Sequence, residues 1–182
     1  MSAPNVVGLD LSIAATGICD WRGKTSTVAG KPQLGDERLE RIMDAIEAAC
    51  ADDGSIDVDL VVIEDLAIHG PGGGMAAAQV MGAAKYFIRY NFCGTVPYVL
   101  VSPSSLKKFA TGKGNCGKPE MAIAAYKRAG LEFADDNQCD AWWLRAAGLD
   151  ALGHPLFPMP QAQRDALAKV AWPDLTLTER TT

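Results

Sequence analysis

The first part of the chain alternates short apolar runs with turn residues. Residues 5–31 contain three strand-like runs separated by glycine-containing turns, which predicts three successive antiparallel strands. Apolar residues then recur at helical spacing over residues 36–51, so we expect one helix with a single buried stripe. The polar residues 52–55 end that helix. An unbroken apolar run over residues 59–64 is typical of a strand buried on both faces.

The middle of the chain predicts a further strand and three helices. A glycine-rich loop over residues 70–74 precedes a helix of small residues over 75–90, and residues 98–101 form a short strand. Ser104 is the expected cap of the helix that follows this strand. The next helix covers residues 119–129, since its proline suits a first turn and the glycine after it ends the helix.

The last core helix begins near Asp135 or Asp136 and is expected to run to Asp150. Its two adjacent tryptophans, Trp142 and Trp143, are expected to pack in the core and at its rim rather than to stack on bases. Both the length of this helix and its apolar content indicate that it lies against the sheet.

The order of elements is three strands, helix, strand, helix, strand and helices. This order matches an α/β class, the ribonuclease H-like fold, in which a mixed five-stranded sheet has three antiparallel and then parallel strands flanked by helices. We expect residues 1–153 to form this nuclease domain. Residues 154–182 are expected to form a proline-rich C-terminal extension, with a short helix over residues 161–171.

The composition is that of a globular protein with neither a disulfide framework nor a histidine cluster. The chain has 182 residues, of which 48% are apolar and 21% charged. No apolar run approaches the roughly 20 residues of a membrane span. Residues 1–5 lack the basic start and apolar core of a signal peptide, so we expect a cytoplasmic protein without membrane contact. Five scattered cysteines and two histidines leave oxygen ligands as the basis for any metal site.

A basic segment stands out against a net charge of -5 and an isoelectric point near 5.0. That overall charge has the wrong sign for general nucleic-acid binding, so DNA contacts must come from a local patch. Four lysines fall within twelve residues that contain no acid: Lys107, Lys108, Lys113 and Lys118. Alone, this cluster is typical of an exposed loop. Together with a set of carboxylates, it indicates contact with phosphates.

Carboxylates at the ends of apolar runs are candidates for a metal site. Asp10 ends the first strand and Glu64 ends the fourth, and the predicted topology makes these strand ends neighbours. Burying such a charge is costly unless it is paired or ligates an ion. The last helix adds Asp140, with Asn137 three and Asp136 four residues earlier on the same face. Two magnesium ions on such ligands can activate a water and stabilise a leaving oxygen, which indicates a nuclease.

The neighbouring polar positions leave two assignments open. Either Asn137 or Asp136 is the fourth residue of the site, and Asp136 is equally suited to cap the last helix. Asp135 is expected to be a solvated charge. Asp65 is also expected to be solvated, because it should point to the opposite face of the strand from Glu64.

Several short motifs occur in an ordered series. They are Gly8-Leu9-Asp10-x-Ser12 with Thr16-Gly17, Val61-Val62-Ile63-Glu64, Val101-x-Pro103 leading into Lys107, Lys118 after a Gly-x-Gly loop, and Asp140-Ala141. This series resembles the RuvC-type Holliday junction resolvases of the ribonuclease H-like superfamily. The resemblance spans residues 5 to about 150.

The resemblance implies a magnesium-dependent homodimer that resolves four-way DNA junctions by two symmetric nicks. It implies Asp10, Glu64 and Asp140 as metal ligands. We expect two magnesium ions per site, replaceable by manganese, with Asn137 as a further oxygen ligand. The residues expected to contact DNA are Lys107, Lys108, Lys113, Lys118 and Ser12. The helix of small residues from Met75 would lie at the dimer interface, and no nucleotide cofactor is expected.

The chain departs from the family pattern at three places. Asn137 stands where the family commonly has an acid or a histidine, and a neutral ligand would hold a metal more weakly. Ala67 stands where bacterial members often carry an aromatic wedge, which leaves junction opening and sequence preference undetermined. The residues after Gly153 are an addition to the family pattern.

Two other functions compete with this one. Gly-x-Asp-x-Ser followed by Thr-Gly also resembles the first phosphate loop of actin-like ATPases and sugar kinases, but these need about twice this length and a second phosphate motif. A catalytically inactive module that binds branched DNA is the other alternative, with Asn137 as the mark of a lost site. The sequence does not decide whether the chain cuts only four-way junctions or a wider range of branched DNA. It also leaves open the cleavage sequence and whether the chain comes from a phage or a bacterium.

Overall fold

The computed structural model describes residues 3–30, 35–66, 74–92 and 94–175. The strands of its main sheet are β1 (Val6–Asp10), β2 (Ala15–Cys19), β3 (Thr25–Ala29), β6 (Leu60–Glu64) and β7 (Tyr98–Val101). Their order is β3-β2-β1-β6-β7. The first three pair antiparallel, whereas β6 and β7 run parallel to β1. A separate hairpin pairs β4 (Ala51–Asp52) with β5 (Ser55–Ile56) at the point where the sequence predicted only a helix end.

Helices cover both faces of the sheet. They are α1 (Glu37–Cys50), α2 (Gly74–Asn91), α3 (Pro103–Thr111), α4 (Lys118–Ala129), α5 (Asp136–Ala151) and α6 (Gln161–Arg164), which a 3₁₀ turn (Asp165–Leu167) follows. On one face α1 and α2 pack against Val7 and Leu9 of β1. On the other face α3, α4 and α5 pack against Val6 of β1 and Val62 of β6. Helices on both faces of a mixed five-stranded sheet confirm the predicted fold class.

The caps of two helices differ from the prediction. Ser102, and not Ser104, caps α3, because its hydroxyl accepts the backbone N–H of Ser105 at 3.2 Å and Pro103 takes the first helical position. The cap of α5 is Asp135, and Asp136 is already inside the helix. In both cases the acceptor side chain lies three residues before the N–H that it binds, which is the usual capping geometry.

The segment after α5 packs against the same core as α3, α4 and α5. Met159 and Leu167 are buried with Phe109 of α3. Gln163 donates to the Phe109 carbonyl at 2.8 Å, and Arg164 forms a bidentate ion pair with Asp150. The helix predicted over residues 161–171 is present only as α6 and its short 3₁₀ turn.

Several sequence expectations fall on residues 67–73, 93 and 176–182, which lie outside the described parts of the chain. These include Ala67, most of the glycine-rich loop and the end of the C-terminal extension. Among the described residues the four cysteines are free and buried. Within the same ranges, none of the helices has both the length and the apolar character to span a lipid bilayer.

Candidate functional site

Asp10 and Glu64 stand side by side at the carboxyl ends of two neighbouring parallel strands. The register pairs Leu9 of β1 with Ile63 of β6, so the next residue on each strand is one of these two acids. Their carboxyl groups share a hydrogen bond, and both side chains are partly buried. The parallel register therefore brings together two residues that are 54 positions apart in the sequence.

Asp140 reaches the same place from α5, because two glycines let this helix lie directly on the sheet. A Cβ atom at Gly8 would stand 2.0 Å from the carbonyl oxygen of Ala141, and one at Gly17 would stand 2.1 Å from that of Asn137. Any side chain at either position would push the helix away. With glycine in both strands, Asp140 is buried next to Asp10 and interacts with it electrostatically.

Burial and nearby negative charge disfavour the charged forms of the three carboxyl groups. Burial raises the pKa of Asp10 to about 6, and the nearby charge of Asp140 adds to the rise. Burial, followed by the charges of Asp10 and Asp140, raises the pKa of Glu64 to about 8. Burial also raises the pKa of Asp140, although Lys118 acts against the rise. A divalent cation would supply the missing positive charge.

Two of the four lysines of the basic segment lie at this cluster. The Nζ atom of Lys118, at the start of α4, is 3.6 Å from Oδ2 of Asp140 and 3.6 Å from Oδ2 of Asp136. Lys107 of α3 lowers the pKa of Glu64 through its charge. The start of α4 and the exposed side of α3 therefore bring positive charge to the carboxylates.

The other residues expected to contact DNA lie farther from the carboxylates or in a turn beside them. Lys108 is exposed on α3, and Lys113 lines an open groove between α3 and α4. Ser12 follows Asp10 in the turn between β1 and β2. Its hydroxyl accepts the backbone N–H of Ala14 at 3.3 Å, and its carbonyl accepts the hydroxyl of Thr16 at 2.6 Å.

The first turn of α5 separates the roles of three neighbouring polar residues. Asp135 was expected to be solvated, which is wrong: its carboxylate accepts the Gln138 backbone N–H at 2.9 Å and the Thr27 hydroxyl at 2.6 Å. Asp136 does not cap the helix. Its exposed carboxylate faces Lys118. Asn137 is partly buried, and its backbone rests over β2 one turn before Asp140.

Asp65 lies outside the carboxylate cluster. Its backbone N–H donates to the Val101 carbonyl at 2.8 Å, and its carboxylate accepts the backbone N–H of Leu66. Alternation along the strand places it on the opposite face from Glu64, so it is not part of the candidate site.

The donor atoms of the cluster suit a hard divalent cation. The candidate ligands are three carboxylates and the amide oxygen of Asn137, and magnesium and manganese take oxygen ligands of this kind. Within the described ranges, no three acidic, histidine or cysteine side chains are already arranged to surround one ion. Instead the acids of β1 and β6 share a hydrogen bond. These residues could hold a metal after that hydrogen bond is replaced by metal contacts.

The sequence interpretation missed Thr27 and the packing role of Gly8 and Gly17. A glycine inside a strand often marks a close approach of another backbone, so the two glycines carried a usable signal. Thr27 carried none, because threonine is common in strands and its partner lies 108 positions away.

Comparisons with known proteins give a likeness in structure only. No protein-family model matches the chain. No curated protein matches it either. Its structure is similar to that of RuvC from Thermus thermophilus, with a TM-score of 0.64 and 20% identity, over 82% of this chain and 96% of that one. The chain has the RuvC fold.

Two further solved structures are similar. RuvC from T. thermophilus in complex with a Holliday junction substrate aligns with a TM-score of 0.63 and 21% identity, over 82% of this chain and 96% of that one. The yeast mitochondrial Holliday junction resolvase Ydc2 aligns with a TM-score of 0.47 and 13% identity, over 91% of this chain and 81% of that one. The RuvC fold of this chain is the ribonuclease H-like fold that the order of elements predicted.

Proposed function

We propose that this chain is a metal-dependent endonuclease that resolves four-way DNA junctions. The observation that carries the proposal is the meeting of Asp10, Glu64 and Asp140, from three separate elements, at one edge of the RuvC fold. A solved RuvC structure contains a Holliday junction substrate, which makes such junctions the first DNA to test.

The carboxylates are the proposed ligands of two magnesium ions, with manganese as a substitute and Asn137 as the fourth ligand. Bound magnesium would lower the pKa of a water and neutralise charge on the scissile phosphate. Asp10 and Glu64 hold their oxygens at adjacent strand ends, where the sheet keeps them in place. Asp140 approaches from the helix side, so the three ligands enclose a space from two directions.

The lysines are proposed to guide the DNA backbone into that space. Lys118 already faces Asp140 and Asp136, so a DNA phosphate would compete with these carboxylates for its ammonium group. Lys107 adds a second positive charge near Glu64. Lys108 and Lys113 extend the positive surface away from the site, and Ser12 offers a hydroxyl beside Asp10.

We propose that the active form is a homodimer joined through α2. This helix exposes large apolar side chains that have no role in the core, including Met75, Tyr86 and Tyr90. The two tyrosine rings stack at 4.3 Å between centroids, which presents a flat aromatic surface beside a stripe of small residues. A two-fold dimer carries two equivalent sites and so matches the symmetry of a four-way junction.

The test is a cleavage assay with several DNA shapes. We expect the purified chain, in magnesium, to introduce paired nicks into a labelled four-way junction and to leave linear duplex intact. Forks and flaps in the same assay define how broad the substrate range is. Asp10→Asn should lower cutting at least about a hundredfold, since it removes one ligand charge, while junction binding in calcium is retained.

Two outcomes would contradict the proposal. Unchanged cutting by Asp10→Asn would show that the carboxylate cluster is not the site. Tight junction binding by the wild type without any cutting in magnesium or manganese would favour the catalytically inactive DNA-binding module, for which Asn137 is the specific indication.

A further inference from the structure

The start of α5 is tied to the edge strand β3 by a hydrogen bond that the proposed chemistry does not use. The Thr27 hydroxyl donates to Oδ2 of Asp135 at 2.6 Å. The other oxygen of this carboxylate, Oδ1, accepts the backbone N–H of Gln138 at 2.9 Å and caps the helix. One carboxylate therefore joins the strand to the helix start.

Thr27 lies in the same cross-strand row as Asp10. The register pairs Asp10 with Gly17, and Gly17 with Thr27. The backbone of Asn137 rests on the middle member of the row, where a Cβ would stand 2.1 Å from its carbonyl oxygen. With strands spaced about 4.8 Å apart, Thr27 is about 10 Å from Asp10 across the sheet. The row therefore supports the first turn of α5 at its centre and ties the helix start at its outer end.

We propose that Thr27 is a positioning residue, which holds the start of α5 through Asp135 so that Asp140 faces Asp10. This inference rests on the proposed function, because it assumes that the carboxylates bind divalent ions. Asp140 follows the cap by five residues, which is less than one and a half helical turns. A shift or tilt of the helix at its cap therefore moves Asp140 and Asn137 by a similar amount.

A second hydroxyl on the same face of β3 provides a matched control. Thr25 donates to the amide oxygen Oε1 of Gln138 at 3.0 Å. Its partner is a side chain that can rotate, not the capping carboxylate. Thr25→Val and Thr27→Val make the same chemical change two residues apart on one strand. Only Thr27→Val removes the hydrogen bond to the cap, so the comparison separates that loss from a general weakening of the edge strand.

The experiment measures Mn²⁺ binding to the full-length, DNA-free protein by electron paramagnetic resonance. Thr27→Val keeps the branched shape that suits a strand and removes only the hydroxyl. We expect it to weaken Mn²⁺ binding about tenfold, as changes to groups that orient metal ligands commonly do. Thr27→Ser should restore affinity to near the wild-type value, and Thr25→Val should change it less than about twofold. Half-maximal junction cutting should need about tenfold more magnesium in Thr27→Val, with an unchanged KM for DNA.

If Thr27→Val does not fold, two substitutions at Asp135 test the same hydrogen bond. Asp135→Asn and Asp135→Ser remove the same charge, and both new side chains are good helix caps. Asparagine is long enough to keep a hydrogen bond with Thr27, whereas serine is too short. We expect Asp135→Ser to bind Mn²⁺ about tenfold more weakly than Asp135→Asn.

Each arm has an outcome that overturns the proposal. Wild-type Mn²⁺ affinity in Thr27→Val, or equal affinity in the two Asp135 variants, would show that the tie has no influence on the metal ligands. An equal loss in Thr25→Val would show a general effect of the edge strand. A wild type that binds Mn²⁺ but cuts no DNA would contradict the proposed function alone, because the binding measurement still decides the role of Thr27.

Discussion

At the scale of single residues, the candidate site is a small group of carboxyl groups held together in partly buried surroundings. Asp10 and Glu64 share a hydrogen bond, and burial raises the pKa of both carboxyl groups. The charge of Asp140 adds to the rise at each of them. This arrangement costs folding free energy at neutral pH. The cost is consistent with a site that is stabilised when it binds a cation.

The raised pKa values predict that the metal-free protein becomes less stable as the pH rises. The pKa of Asp10 moves from 3.8 to about 6 and that of Glu64 from 4.5 to about 8, so the folded state binds more protons than the unfolded state between these limits. Stability contributed by the protonated forms is complete below the unfolded pKa values and is lost as the pH passes the folded ones. In EDTA, the melting temperature should therefore be lower at pH 8.5 than at pH 6.

The expected loss is at least about 1 kcal/mol, because one unit of pKa shift corresponds to about 1.4 kcal/mol. For a chain of this size that is a fall of about 3 °C in melting temperature. Magnesium should recover more stability at pH 8.5 than at pH 6. Asp10→Asn should flatten the pH dependence, because it removes one of the two carboxyl groups whose pKa is raised. An identical pH profile for Asp10→Asn and wild type would contradict the assignment.

Asn137 provides a second prediction at this scale. Asn137→Asp adds a charged oxygen one turn before Asp140 and should lower the magnesium concentration for half-maximal cutting severalfold, since a charged ligand binds the ion more strongly. The measurement is a magnesium titration of junction cleavage. Activity that appears only in the variant would indicate that the wild-type chain is a DNA-binding module with a lost site.

At the scale of elements, the contact between α5 and the sheet decides whether the candidate ligands meet. Helix backbone lies on strand backbone at Gly8 and Gly17, and Gly148 of the helix lies directly against the side chains of Val6 and Val62. Such close contact leaves no room for adjustment, since protein interiors are densely packed. The position of Asp140 is thus a property of the packing between elements and not of α5 alone.

Substitution of Gly17 tests this contact. In Gly17→Ala the new Cβ would stand 2.1 Å from the carbonyl oxygen of Asn137, so the first turn of α5 must lift from the sheet. We expect a loss of about 1–3 kcal/mol in the free energy of unfolding and weaker Mn²⁺ binding. Urea denaturation and a metal titration measure the two effects.

Gly82 of α2 is the matched control for this substitution. Nothing lies within 4 Å of a Cβ built there. At a protein concentration low enough to keep the chain monomeric, since α2 is the proposed dimer surface, Gly82→Ala should leave stability unchanged or raise it by up to about 1 kcal/mol through helix propensity. An equally stable Gly17→Ala with normal metal affinity would show that the helix can move without consequence for the ligands.

At the scale of the whole molecule, the C-terminal segment is joined to the core formed by the sheet and its helices. Phe157 contacts both Trp142 and Trp143, and Gln163 connects Phe109 of α3 with Arg128 of α4. These contacts hold together the three helices that carry Asp140, Lys107 and Lys118. We therefore expect residues 154–175 to fold together with residues 3–153.

Truncation after Gly153 tests this expectation. The shortened chain would expose Phe109 and the tryptophan pair and would leave the nearly buried carboxylate of Asp150 without Arg164. We expect a loss of several kcal/mol, since each large apolar side chain that becomes exposed costs about 1.5–3 kcal/mol. A chain that ends after Leu175 keeps all these contacts and serves as the control. Equal melting temperatures for the two shortened chains would show an independent extension.

The sequence predicted the order and type of most elements because they depend on local patterns. Alternating and continuous apolar runs marked β1 to β3 and β6, and helical spacing marked α1. The cap at Ser102 was not predicted, because Ser102 and Ser104 are both suitable capping residues and the surrounding backbone decides between them. The hairpin of β4 and β5 was not predicted either, because its strands are only two residues long. Only the assembled fold showed that Asp135 is tied to Thr27 and is not solvated.

By itself, the sequence determined which side chains are candidates for the chemistry: acids at the ends of apolar runs, oxygen ligands without histidine clusters, and a lysine segment free of acids. The tertiary structure alone decided their geometry. Parallel pairing set Asp10 beside Glu64, and glycines on two strands let α5 approach closely enough to add Asp140. The physical reason is that side-chain type and local periodicity are properties of short segments. The distance between residues far apart in the chain depends instead on how closely whole elements pack.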